Sequence, residues 1–291
     1  MRKISLEIML KYAKYFLLRC MWWIQAISLP GTLRIRKFIR QAIFTDKYIQ
    51  TPYLGFFVFV CPTHIMGKTV FEGGIHEPEL TKTIQAFTQA GFSFLDIGAN
   101  IGLHTLGAVS TKSPQDQIFV AFEPDPHMFS VLKKNCRLNG LDFVTCIQAG
   151  LGDKDTFLTL NSSQTRNKGH NSFLPIENAV SVNRVKVSAL DTLYADDVLS
   201  AKDIFVKIDV EGYELPVIQG GKKFFSQGMN MVVVCEVWAE LMEKNNFSVD
   251  ALYQTLSDCG FSSHILTDDG VIFYKGPRST AIISKIFGQQ Q

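Results

Sequence analysis

From residue 92 onward, short apolar runs alternate with segments whose apolar residues recur every three or four positions. FSFLDIG, QIFVAFE and DFVTCIQAG are the first three runs, separated by a helical pattern beginning near residue 102 and another from Pro126 to Asn139. Strands alternating with helices form a parallel sheet with helices on both faces, because each parallel connection needs a crossover that packs back onto the sheet. Residues 151–190 break the rhythm with a strand (TFLTL), a polar loop (NSSQTRNKGHNS) and a second strand (VNRVKVSAL), an insertion placed where a substrate-facing loop is expected. Alternation resumes with DIFVKIDVE, a helix ending at Gly220-Gly221, MVVVCEVW, and a helix from Asp250 to Cys259. FSSHIL and GVIFYK close the domain as a hairpin joined by Thr267-Asp268-Asp269-Gly270, in which Asp-Gly is a strong turn signal. Ahead of the sheet, LGFFVFVCP between Pro52 and Pro62 predicts a strand, Gly67 to Phe71 a second short strand paired with it, and Pro78 to about Gly91 a helix stopped by its glycine.

This pattern divides the chain into an apolar, basic helical segment over residues 1–47, a small strand and helix lead-in over 48–91, a main domain over 92–277 and a C-terminal tail over 278–291. Residues 1–47 carry ten Lys or Arg against Glu7 and Asp46, a balance of +8 that leaves −6 for the rest of a chain whose net charge is +2. A basic leader on an acidic body points to an anionic surface near the N-terminus and argues against a long nucleic-acid track. The leader is a poor secretory signal, since Glu7, Lys11, Lys14 and Arg19 interrupt its apolar run, and the same charges argue against a spanning helix. It is expected either to pack as a helix on the domain or a partner chain, or to lie on a membrane surface through residues 1–40 with Trp22 and Trp23 at headgroup level. The six cysteines show neither paired spacing nor CxxC, so a cytoplasmic protein with reduced thiols, membrane-associated at most through its leader, is expected.

The chemistry concentrates at strand ends. In FLDIGANIGLHTL, Gly98 and Gly102 form the first strand-to-helix loop, the usual ligand wall of a doubly wound sheet. A pyrophosphate needs bare amides there, and Asp96 would repel it. A carboxylate suits a cationic ligand with an ammonium and a sulfonium, which is the charge pattern of S-adenosylmethionine. Glu123 ends the second strand, where its two oxygens can accept both hydroxyls of a ribose. Asp153, in GLGD after the third strand, is placed either to accept from an adenine amino group or to serve as a turn residue. In KIDVEGYE, strand alternation places Lys207, Asp209 and Glu211 on one face, opposite Ile208 and Val210. Three ionisable groups ending a buried strand carry a desolvation cost that favours a functional site.

Taken together, GIHEPEL, FLDIGANIGLHTL, the FEPDP turn, GLGD, VSALDTL and VKIDVEGYELPVIQGG resemble the FkbM-type S-adenosylmethionine-dependent methyltransferases over about residues 72–240. The resemblance implies a Rossmann-like class I methyltransferase fold, α/β with a seven-stranded, mostly parallel sheet whose last strand is antiparallel. It implies cofactor contacts at Asp96, Gly98, Asn100, Gly102, Glu123 and Asp153, and a reaction centre at Asp209 and Glu211. It also implies O-methylation of a sugar, glycan or natural-product-like small molecule. Asp209 is the first choice of general base, with Glu211 or His104 as substitutes and Lys207 tuning its charge. His104 stands where the family has tyrosine, and its imidazole either acts near the cofactor or packs. No dedicated metal motif is present; Asp209, Glu211 and Glu236 are the carboxylates that suit magnesium. The strand end DVEG lacks the Asn or Asp followed by Pro-Pro and an aromatic that is usual in methylation of nucleic-acid amino groups. RNA methylation and a catalytically silent binding module of the same fold are the alternatives.

Overall fold

The computed structural model describes residues 47–111, 116–163, 171–175, 179–195, 203–227, 230–268 and 270–288. The N-terminal helix and its membrane or partner contact lie outside the described residues. Among the described residues, no helix is long and apolar enough to cross a membrane.

The lead-in is a hairpin and a helix. Strand β1 (Ile49–Tyr53) pairs antiparallel with β2 (Phe56–Val60) across Leu54-Gly55, whose φ values of +50° and +84° match the two-residue turns that follow the twist of paired strands. The strand read in LGFFVFVCP is therefore present, but its partner precedes it. Gly67 to Phe71, expected as the second strand, lies in helix α1 (Ile65–Phe71). Gly67, Val70 and Phe71 are its buried positions, a helical spacing, and a Cβ on Gly67 would strike the backbone of Cys61. Helix α2 (Pro78–Gln89) follows, with proline in its first turn.

The main domain then runs β3 (Ser93–Ile97), α3 (Leu103–Val109), β4 (Phe119–Phe122), α4 (Pro126–Leu138) and β5 (Val144–Ile147). The insertion holds β6 (Gly150–Leu151), β7 (Thr156–Ser163), β8 (Asn171–Ser172) and β9 (Ala179–Ser188), which form their own sheet in the order β6-β9-β7-β8. After α5 (Leu190–Ala195) come β10 (Asp203–Ile208), α6 (Glu214–Gly220), α7 (Lys222–Phe225), β11 (Asn230–Cys235), α8 (Ala239–Lys244) and α9 (Val249–Asp258). The hairpin β12 (Ser263–Thr267) and β13 (Gly270–Lys275) leads to α10 (Pro277–Phe287). Residues expected as a tail thus mostly form a helix. Arg278 ties it to the sheet through an ion pair with Asp203 and a hydrogen bond to the Ala90 carbonyl, while Ile283 is buried.

Seven strands form the central sheet in the order β12-β13-β11-β10-β3-β4-β5, with β13 antiparallel to both neighbours and the other pairs parallel. This is the fold class expected from the alternation and the terminal hairpin. Side chains alternate between two cores: Phe94, Ala121, Phe205 and Val232 on one face, Leu95, Val120, Val206 and Val233 on the other. Burial on both faces explains why the strands read as unbroken apolar runs. The chain runs outward from β3 through β5, then returns to place β10 on the other side of β3. That reversal opens a crevice at the carboxyl ends of β3 and β10, where sheets of this kind bind ligands.

Candidate active site

At the reversal, the loop after β3 is fixed before any ligand is considered. Gly98, Asn100 and Gly102 have φ of +80°, +52° and +86°. A Cβ on Gly98 would collide with the carbonyl of Asp209, and one on Gly102 would press on Leu132. The glycines therefore first serve packing, Gly98 against the end of β10 and Gly102 against α4. The amides of Gly98 and Ala99 donate to the Phe122 carbonyl, and that of Asp209 donates to Ile97. Three strand ends are thereby stitched into one floor.

Above it lies a cavity of about 230 Å³ lined by Gly98, Asn100, Glu123, Asp209, Glu211 and Glu236 from the strand ends. Tyr48, Cys61, His64, His76 and Glu77 of the lead-in close one side, and Asn171 and Phe173 of the insertion close another. Glu123 is 5% exposed. Its Oε2 accepts from the Asn100 amide at 2.7 Å and its Oε1 from the Asp125 amide at 2.8 Å. Each carboxylate oxygen keeps a further acceptor position. Burial pushes the Glu123 carboxyl up to about 8, only partly countered by those two amides. Asp125 then caps α4, accepting from the amides of His127 and Met128.

Asp96 is fully buried and does not line the cavity. Its Oδ2 accepts from Thr105 Oγ1 at 2.6 Å, and its Oδ1 lies 3.6 Å from Lys207 Nζ. Lys207, equally buried, donates to Asp209 Oδ2 at 3.0 Å and to the Gly98 carbonyl at 3.1 Å. Its ammonium thus sits between two carboxylates, one in the core and one in the cavity. Burial opposes the charge of Lys207, yet Asp209, Asp96 and Glu77 raise its pKa above the usual value. Asp209 mirrors this: burial works against ionisation, and Lys207 outweighs it, holding the carboxyl below its usual range. For Asp96 burial prevails over Lys207 and Thr105, so its pKa is raised.

Glu236, at the end of β11, is hydrogen-bonded to Asp209. Its pKa is pushed up to about 8 by burial and then by the negative charges of Asp209, Glu211 and Glu77. A shared proton between an ionised Asp209 and a protonated Glu236 follows. Glu211 also lines the cavity, but not through strand alternation. Strand β10 ends at Ile208, and Glu211 sits in a turn at φ +54° with its carbonyl accepting from Ser172 Oγ.

The remaining predicted residues lie elsewhere. Asp153 is 43% exposed beside Lys154 and outside the cavity lining. His104 is buried in the first turn of α3, behind the cavity wall, with its Nε2 3.3 Å from Glu77 Oε2. Burial, then Lys207 and His76, hold its pKa well below the usual value, so the ring is neutral. Sequence reading passed over His76, Glu77, Tyr48, His64 and Phe173 as cavity residues, and placed Asn171 only within the polar loop expected to face a substrate. Glu236 had a signal, since it ends its strand as Glu123 does. Asn171 carried none beyond a polar loop; its Oδ1 is buried without a hydrogen-bond partner among the described residues. The five cysteines among the described residues are free thiols.

Residues 96–263 match the family described as methyltransferase FkbM domain. "Methyltransferase 1" of Beauveria bassiana (strain ARSEF 2860) is 31% identical over 144 residues, 43% of this chain and 57% of that protein. The matched stretch therefore spans little more than half of that relative. Among solved structures, methyltransferase FkbM from Methylobacillus flagellatus KT has a TM-score of 0.42 at 16% identity, covering 64% of this chain and 44% of its own. An O-methyltransferase from Bacillus cereus in complex with SAH has a TM-score of 0.38 at 13% identity, covering 83% of this chain and 97% of its own.

Proposed function

Because the chain belongs to the methyltransferase FkbM domain family, we propose that it transfers a methyl group from S-adenosylmethionine to a hydroxyl oxygen of a sugar, glycan or natural-product-like acceptor. The observation that carries the donor assignment is Glu123: a buried carboxylate facing the cavity, anchored by one backbone amide on each oxygen, with an acceptor position left on each for a vicinal diol. The ribose of the donor fits that pair of acceptors. Gly98 and Asn100 form the adjoining wall, and Asp209, held ionised, gives the cavity an anionic end suited to a cation. When bound, the donor supplies an electrophilic methyl carbon on sulfur.

The chain's own residues orient the acceptor and take its proton. The pKa values of Glu236 and Glu123 are both raised to about 8, and Glu236, which stands beside Asp209 rather than at the ribose position, is the one suited to accept the hydroxyl proton. Asp209, kept ionised by Lys207, hydrogen-bonds Glu236 and stabilises the proton once transferred. Asn171 Oδ1, with no hydrogen-bond partner among the described residues, offers an acceptor for a further hydroxyl of the substrate. The catalytically silent alternative predicts donor binding without turnover.

The test is transfer of labelled methyl from S-adenosylmethionine into host glycan and lipid extracts, followed by kinetics on the labelled acceptor. Glu236 must lose its proton to act as base, so kcat/KM rises with pH through an apparent pKa of about 8. Glu236→Gln is expected to abolish that limb and lower kcat by roughly 100- to 10,000-fold. A flat profile in the native protein removes Glu236 as the base, and absence of label in any hydroxyl-bearing product removes O-methylation.

A further inference from the structure

We infer that His76, Glu77 and His104 form a binding site for a divalent transition-metal ion whose open coordination positions face the cavity. The three side chains come from two elements: His76 and Glu77 from the chain entering α2, and His104 from the first turn of α3. One ligand atom from each lies within 4.8 Å of the others. His76 Nε2 is 3.1 Å from Glu77 Oε1, and His104 Nε2 is 3.3 Å from Glu77 Oε2. Donors about 2.1 Å from one ion and roughly 90–110° apart stand about 3.0–3.4 Å from each other, so the spacing is that of neighbouring ligands.

A second observation points the same way. His104 is 5% exposed, yet its Nε2, 3.3 Å from the Glu77 carboxylate, has no hydrogen-bond partner among the described residues. A buried ring nitrogen aimed at a carboxylate without closing a hydrogen bond is costly, and a cation between them would satisfy both. The two imidazole rings stand 5.4 Å apart and tilted by 33°, which leaves their nitrogens free to converge. Glu77 does not use its carboxylate to cap α2, although it occupies the cap position, and its backbone holds φ +41°. Two imidazoles and one carboxylate suit zinc, cobalt, manganese or iron rather than magnesium or calcium, which favour all-oxygen sites. Three protein ligands with the rest of the coordination sphere open is the arrangement of a metal that takes an exogenous oxygen. His76 and Glu77 line the cavity that holds Asp209 and Glu236, so that oxygen would come from a cavity ligand.

The site does not depend on the methyl-transfer reading, and its test needs no donor. The full chain, stripped with chelator, is titrated with Co²⁺ by calorimetry and visible absorption. One equivalent is expected to bind with the d–d bands of a nitrogen and oxygen site. His76→Gln, Glu77→Gln and His104→Gln should each weaken binding at least tenfold, while Cys61→Ser, which changes a nearby cavity thiol, should leave it unchanged. No binding to a native sample that unfolds cooperatively overturns the proposal, as does an affinity unaltered by all three ligand variants. Titration of the same native sample with S-adenosylhomocysteine reports separately on the donor site.

Discussion

Lys207→Met is expected to cost the folded protein roughly 3–5 kcal/mol, the usual penalty for removing one partner of a buried ion pair. Methionine fills much of the same space, so the loss is electrostatic rather than a cavity effect. Lys207 is almost completely buried between Asp96, which has no exposed surface, and Asp209. Without the ammonium, Asp96 keeps only Thr105 as a hydrogen-bond donor. Its Oδ1, without a hydrogen bond among the described residues, loses the neighbouring ammonium. The Asp96 carboxyl, already raised by burial, rises further. The folded variant then holds a proton that the unfolded chain releases. Its deficit is therefore smallest below the unfolded carboxylate pKa and grows as pH rises towards the folded value. Urea unfolding of the variant at several pH values checks both size and sign. The double variant Lys207→Met/Asp96→Asn should recover much of the loss, because it removes the unpaired charge from the core and leaves only Asp209, which is partly exposed to the cavity, without its ammonium. A single variant as stable as the native protein at neutral pH would show that this triad does not hold the strand ends together.

Asp209→Asn is expected to lower kcat by about 100- to 10,000-fold while changing S-adenosylhomocysteine affinity by less than about threefold. Its carboxylate raises the Glu236 pKa and accepts from Lys207, and both effects end when the charge is removed. A slower enzyme alone would not distinguish this role from damage to the fold. The pH profile does: without the Asp209 charge Glu236 ionises more readily, so the rising limb should move to lower pH. An unchanged kcat, or a limb that stays near its native position, excludes Asp209 as the group that tunes the proton acceptor.

The sheet was legible in the sequence because its strands are buried on both faces and separated by helices of ordinary length, so FSFLDIG, FVAF and DIFVKI stand out as apolar blocks. Asp-Gly identified the last hairpin. In the lead-in, the strand within LGFFVFVCP and the helix from Pro78 were legible as well, but Gly67 to Phe71 was not, since IMGKTVF is too short to separate a period of two from a period of 3.6, and the packing of Gly67 on Cys61 favours the helix. The C-terminal helix escaped because its anchors are remote in sequence: Arg278 pairs with Asp203 and donates to the Ala90 carbonyl, 188 positions away. In the site, strand-end position singled out Glu123 and Asp209, and both line the cavity together with Glu236. It did not reveal burial. Asp96 and Asp209 both follow apolar runs and look alike in sequence, yet Thr105 and Lys207 enclose the first while the second reaches the cavity. The charge argument built on Asp96 passes to Asp209, with Lys207 as the link.

The most direct test of the account is calorimetric titration of the full chain with S-adenosylhomocysteine, alongside Glu123→Gln. Two hydrogen bonds between Glu123 and the ribose predict one molecule bound per chain and an affinity about 10- to 100-fold weaker in the variant, with cooperative unfolding retained. No heat from a folded native sample, or equal affinity in the two proteins, would contradict the claim that the Glu123 cavity holds the methyl donor.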